Sequence, residues 1–144
     1  MTTAIDTNVI QGLWSGTPDV IAAAQSALED AGRHGALVIS PAVYAELVAS
    51  PGRDAPTIDT FIEVTHIRVD WLLEAGVWRT AADAFRGYSE RRRRQKQFEG
   101  PRRILADFVI GAHALHHASR LLTFDQRLYR AAFPSLMVVV PSII

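Results

Sequence analysis

Cysteine is absent from the sequence, which excludes disulfides, thiolate catalysis and Cys-based metal sites. The same absence fits a chain that works in the cytoplasm. No apolar run approaches the roughly 20 residues of a membrane-spanning helix. The N-terminus has neither the basic flank nor the apolar stretch of a signal peptide. Net charge is missing too: 15 basic and 15 acidic side chains cancel. No global field therefore points to nucleic acid, and any phosphate-binding surface has to be local. There is no glycine-rich phosphate loop and no legible Ser/His/Asp set. What remains is an ordinary globular composition, 49% hydrophobic and 21% charged over 144 residues. That is enough for one domain with a proper core and too little for two. A single domain over residues 1–144 is expected.

The apolar pattern alternates between two types. Thr3–Ile5, Ala36–Ser40, His66–Val69, Arg120–Thr123 and Met137–Val140 are short, mostly apolar runs bounded by turn or charged residues. Such runs suit strands buried on both faces. Helical patterns lie between them. Thr17-Pro18-Asp19 supplies an N-cap and first turn for a helix reaching about Ala31, with Gly32 as its stop. Pro41 opens a second helix to about Ala49, and a third runs from about Ala55 to Val64. A fourth carries Trp71, Ala75, Trp78, Ala82 and Phe85 at helical spacing, which reads as core or a partner face. Arg103–Ala118 and Asp125–Ala132 complete the set. This alternation predicts an α/β fold, a three-layer α/β/α sandwich around a mainly parallel sheet of about five strands.

In such sheets the ligand site lies beyond the carboxyl ends of the strands. Asp6 follows the first strand, Glu46 sits in the helix after the second, and Asp125 comes two residues after Thr123. Asp107 lies early in a helix that leads into the fourth strand, which puts its first turns near the same edge. Each acid also has a simpler reading. Asp6 could cap a turn or helix. Asp107, whose neighbours Ile110, Gly111 and Ala114 are apolar or small, could form a buried ion pair with Arg103. Four clustered carboxylates would repel and raise one another's pKa values. A divalent cation resolves that repulsion, and oxygen-only ligands select Mg²⁺ or Mn²⁺ over zinc. Such an ion can activate water for in-line attack on a phosphodiester.

The segments AIDTNVI, SPAVYAEL, RRILADFVIGAHAL and RLLTFD, in this order and spacing, resemble the PIN domain. Among PIN proteins the chain is similar to the VapC-type ribonuclease toxins of toxin–antitoxin pairs, and the resemblance covers essentially its whole length. It implies that Asp6, Glu46, Asp107 and Asp125 form the acidic quartet, with Asp6 and Asp107 as principal metal ligands. Asn8 and Thr123 would steady the site. It further implies Mg²⁺ or Mn²⁺ as cofactor, cleavage of single-stranded RNA leaving a 5′-phosphate, a homodimer, a cognate antitoxin as partner, and a cytoplasmic location. The stretch DQRLYRAAF after Asp125 adds no further acid, so a single tightly held ion is expected, with a second recruited by substrate. A non-toxin RNA-processing PIN nuclease, or an inert PIN-like binding module, remains the alternative. A receiver-type phosphoacceptor domain would need an acidic pair after the first strand and a late lysine, and has neither.

Residues 91–103, RRRRQKQFEGPRR, hold seven bases and one acid. Arg91, Arg92, Arg93, Arg94, Lys96, Arg102 and Arg103 are candidates for RNA phosphates, and Phe98 for a base. The alternative is a solvated helix end. His113, His116 and His117 suggest a zinc site only weakly, since they point away from Asp107 and a helix C-terminus welcomes histidines anyway. Trp14, Trp71 and Trp78 read as core or interface anchors. Thr7 or Asn8 would cap the helix that follows Asp6, leaving its carboxylate for the metal.

Overall fold

Three helix starts are fixed by short side chains that satisfy free backbone donors. Thr17 Oγ1 accepts from Val20 N, Ser40 Oγ from Val43 N, and Asp54 Oδ1 from Thr57 N. Each is followed by proline within the first turn, where its missing N–H costs nothing. The structure is a computed structural model and describes residues 1–95 and 103–143. In chain order its elements are β1 (Thr3–Ile5), α1 (Thr7–Ser15), α2 (Pro18–His34), β2 (Leu37–Ile39), α3 (Pro41–Val48) and α4 (Ala55–Thr65). They continue with β3 (Arg68–Val69), α5 (Ala75–Arg94), α6 (Leu105–His117), β4 (Arg120–Leu122), α7 (Gln126–Ala132) and β5 (Val138–Val139).

The five strands form one parallel sheet in the order β3-β2-β1-β4-β5, flanked by helices as expected. The first strand is thus central. Its register pairs Thr3 with Arg120 and Ile5 with Leu122, and Asp6 N–H donates to Leu122 O at 2.9 Å. Because all strands run the same way, their carboxyl ends share one edge. Ala4, Ile5, Val38, Ile39, Leu121 and Leu122 are buried in the sheet. Helix α6 is the most deeply set: Phe108 through Ala114 are all buried. A Cβ at Gly111 would run into the ring of Phe133, so this helix and the end of α7 can approach only over a glycine. Among the described residues no helix is long and apolar enough to cross a membrane.

The structure departs from the sequence reading at the end of α2 and at the tryptophan stripe. Helix α2 continues through Gly32 to His34, because nothing at position 32 opposes the helix. It stops at Gly35, with φ 156°, where a side chain would collide with the backbone of Met1. The tryptophan stripe is not core: Trp71 and Trp78 are 59% and 48% exposed, and Leu72 beside them is 89% exposed. With Pro41, Leu105 and Val109 they line an open groove of about 590 Å³. Only Phe85 of that stripe packs inward, stacked on Phe108 at 4.8 Å between centroids. Trp14 is partly buried, edge-on to Phe61 and under the Arg53 guanidinium.

Candidate active site

The β1–β4 pairing sets Asp6 beside Thr123, each the residue just past its strand. Thr123 is fully buried and its hydroxyl is the hub of the site. It donates to Asp6 Oδ2 at 2.7 Å and accepts the backbone N–H of Asp125 at 2.9 Å. Asn8 bridges the two strand ends, Nδ2 lying 3.4 Å from Thr123 Oγ1 and Oδ1 accepting from Phe124 N at 3.1 Å. Thr7 Oγ1 donates to Glu46 Oε1 at 2.6 Å, tying α3 to the start of α1. Thr7 and Asn8 therefore hold side chains of the site and do not cap α1. The helix starts at Asp6 with no side-chain cap bond.

Asp107 and Asp125 stand differently from the sequence reading. Extended backbone at Ile104 delays the start of α6 to Leu105. Asp107 is therefore in its first turn, and Oδ2 accepts from Ile104 N at 3.1 Å. Asp107 thus also has a capping role. The ion pair weighed for Asp107 goes elsewhere: Arg103 Nη1 lies 2.6 Å from Asp125 Oδ2. Asp125 also caps α7, its Oδ1 accepting from Leu128 N at 3.4 Å.

The electrostatics follow from burial. Desolvation pushes Asp6 up to about 6. Hydrogen bonding with Thr123 and Tyr129 favours the anion, while Asp107 and Glu46 oppose it. Asp107 is also raised, by burial first and by Asp125, against the Ile104 N–H and Arg103. Tyr129, on α7, was read from sequence only as part of a stretch lacking acids. Its ring is buried, and its hydroxyl is the sole buried side-chain polar atom among the described residues without a well-aligned hydrogen-bond partner. It is nevertheless near enough to Asp6 for the two to shift each other's pKa. Burial and the charges of Asp6 and Asp107 hold Tyr129 well above the usual tyrosine range. No sequence signal separates it from an ordinary core aromatic.

Asp6 thus feels Glu46 and Asp107, and Asp107 feels Asp125, and the donor chemistry of these acids, oxygen only, suits a hard divalent cation. They do not form a closed cage: among the described residues no three Asp, Glu or His side chains are grouped to hold one ion. The histidines are engaged with other partners. His113 Nε2 lies 2.7 Å from Asp70 Oδ2, His117 Nε2 is 2.8 Å from Glu74 Oε1, and His116 Nε2 is 2.7 Å from Thr80 Oγ1. The weak zinc reading has no support in this arrangement. Arg91, Arg93 and Arg94 are exposed in the last turn of α5, and Arg92 Nη1 lies 3.4 Å from Tyr88 Oη. Lys96, Phe98 and Arg102 lie outside the described residues.

A parallel α/β sheet with carboxylates beyond its strand ends is the class of protein that fold and site define. The chain belongs to the PIN-domain family, whose family model matches residues 3–134; PIN domains are nucleases. Among solved structures it is similar to a chain of VapBC2 from Rickettsia felis bound to a promoter DNA fragment. That match has a TM-score of 0.68 at 18% identity, covering 99% of this chain and 100% of that one. It is also similar to a chain of a toxin–antitoxin complex from Klebsiella pneumoniae (TM-score 0.65, 21% identity, 99% of each chain). A third similarity is to FitAcB from Neisseria gonorrhoeae (TM-score 0.59, 25% identity, 96% of this chain and 97% of that one). No curated protein matches the chain.

Proposed function

We propose that this chain is the ribonuclease toxin of a toxin–antitoxin pair, one nuclease domain over residues 1–144 that uses Mg²⁺ or Mn²⁺ to hydrolyse RNA phosphodiesters. The observation that carries the reading is Asp6. A carboxylate only 6% exposed stands at the end of the central strand, with no cationic partner among the described residues. Burying such a charge is costly unless something positive joins it. Asp6, Asp107, Glu46 and Asp125 would hold the cation, which when bound lowers the pKa of water and stabilises phosphoryl charge. The chain's own part is orientation. Thr123 fixes the rotamer of Asp6, Asn8 ties the loop after β4 to the start of α1, and Thr7 holds Glu46. Arg91, Arg93 and Arg94 offer exposed charge for RNA phosphates.

The antitoxin partner is supported by the similar solved structures, which are toxin–antitoxin assemblies. A homodimer belongs to the same reading, with exposed Trp71, Leu72 and Trp78 as available apolar surface. So does a cytoplasmic location. The test is cleavage of 5′-labelled single-stranded RNA by pure protein with Mg²⁺, Mn²⁺ or EDTA, with product 5′ ends mapped. Metal-dependent cutting that leaves 5′-phosphates is expected. Asp6→Asn is expected to slow it at least about a hundredfold, roughly 2.7 kcal/mol of transition-state stabilisation. Cleavage that survives EDTA or the substitution would overturn the mechanism. A second reading, an inert binding module, draws on the lack of a closed three-ligand group. It would show as RNA binding without cleavage in any metal.

A further inference from the structure

Arg103 is the cation of the acidic edge. Its Nη1 reaches Asp125 Oδ2 at 2.6 Å, with the two side chains 24% and 27% exposed, so the pair is well shielded from water. Its charge also acts on Asp107. The residue is held from behind as well: the Tyr88 hydroxyl accepts its backbone N–H at 2.8 Å. Tyr88 is itself buried, its ring 5.5 Å from that of Phe108, which is the residue after Asp107. The anchor, Tyr88 on α5, thus packs against the helix that carries Asp107, α6. A mobile surface arginine would not need this second attachment. The pair leaves Asp6, on the inner side of the site, without a counter-charge, and neutralises Asp125 on the outer side.

We propose that Arg103 is a positioning residue that acts as the built-in competitor of the metal. It occupies Asp125 in the ion-free protein and has to release that carboxylate before the cation can be fully ligated. The inference rests on the metal reading of the acidic edge and deepens it. A guanidinium and a divalent ion cannot both take the same carboxylate oxygen, and each lowers the value of the other to the site. Affinity for the ion alone is therefore held down by Arg103. Once freed, its N–H donors would be available to a phosphate bound at the same edge.

The experiment is titration of Mn²⁺ alone, at pH 8 and fixed ionic strength, into wild type, Arg103→Gln, Tyr88→Phe and Asp6→Asn, followed by calorimetry and by the paramagnetic resonance of free Mn²⁺. Arg103→Gln is expected to bind Mn²⁺ about tenfold more tightly, equal to about 1.4 kcal/mol. Tyr88→Phe, which keeps the charge and loosens its anchor, should tighten binding by a smaller factor. Simple damage to the fold would weaken binding, so the sign separates the two. Equal or weaker affinity in Arg103→Gln, with Asp6→Asn still impaired, would overturn the competitor role and leave the metal site standing. No Mn²⁺ binding by wild type or Arg103→Gln would overturn both.

Discussion

In its first turn α6 carries Asp107, whose charge acts on Asp6 and which feels both Asp125 and the Arg103 guanidinium. Two turns later it presents histidines to two further carboxylates, Asp70 and Glu74, and each is matched by an imidazole. The two regions share a helix and a sheet, and each shields an acid, Asp6 fully and Asp70 in part. They differ in whether the fold supplies the opposite charge. At the histidine end, burial works against ionisation of Asp70, but His113 and Arg68 outweigh it and hold its pKa low. Burial keeps His113 below its usual value, so a neutral ring donates to a charged carboxylate. At the acid end Asp6 is pushed up instead. Unrelieved charge is confined to the place where chemistry is expected, which is how functional sites commonly carry their cost in stability.

The largest stability effect should come from breaking the satisfied region. His113 is 1% exposed and bonded to Asp70. His113→Ala opens a cavity and leaves Asp70 with Arg68 alone, so a loss of about 2–4 kcal/mol is expected by chemical denaturation. Asp6→Asn should go the other way. In EDTA at pH 7.5 it should stabilise the protein by up to about 3 kcal/mol, from a pKa of about 6 against 3.8 unfolded at 1.36 kcal/mol per unit. A destabilised Asp6→Asn would erase the contrast.

The signs of pH dependence sharpen it. A raised carboxyl pKa means the folded state binds the extra proton, so the Asp6 contribution is present below 3.8 and lost as pH rises through about 6. A lowered histidine pKa means the unfolded state binds it. The His113 contribution is therefore present above 6.5 and lost as pH falls toward the folded value. Differences from wild type for Asp6→Asn and His113→Ala, measured from pH 4.5 to 7.5, should slope in opposite directions. The smallest effect is expected at Thr123→Val, about 1–2 kcal/mol for the lost hub. The Asp6 step should also move to higher pH, because a donor to its anion is gone.

Sequence reasoning reached the sheet and its acidic edge because both depend on local pattern. Apolar runs such as LVI and RLL mark strands, and a parallel sheet sends every strand end to one side whatever the strand order. Strand order itself is not local, so nothing in the sequence says that β1 is flanked by β2 and β4 and that Asp6 meets Thr123. Reach was equally hidden. Arg103 and Asp107 are four residues apart and an obvious pair, yet the guanidinium crosses to Asp125, 22 residues away. The start of α6 was misjudged because the extended conformation at Ile104 carries no side-chain signal. Tyr129 was passed over because a buried aromatic has core packing as its ordinary explanation.

The hydrogen bond from Thr123 to Asp6 spans 117 residues of chain. A ribosome adding roughly 5–20 residues each second needs about 6–23 seconds to cover that distance. During that interval Asp6 has been made, but the strand that seats it has not. The central strand can pair early with β2, but on its other side it has to wait for β4. A nascent chain that stops short of β4 therefore holds Asp6 without the hydroxyl that seats it, and the order of strands in the sheet serves as a timer on the site.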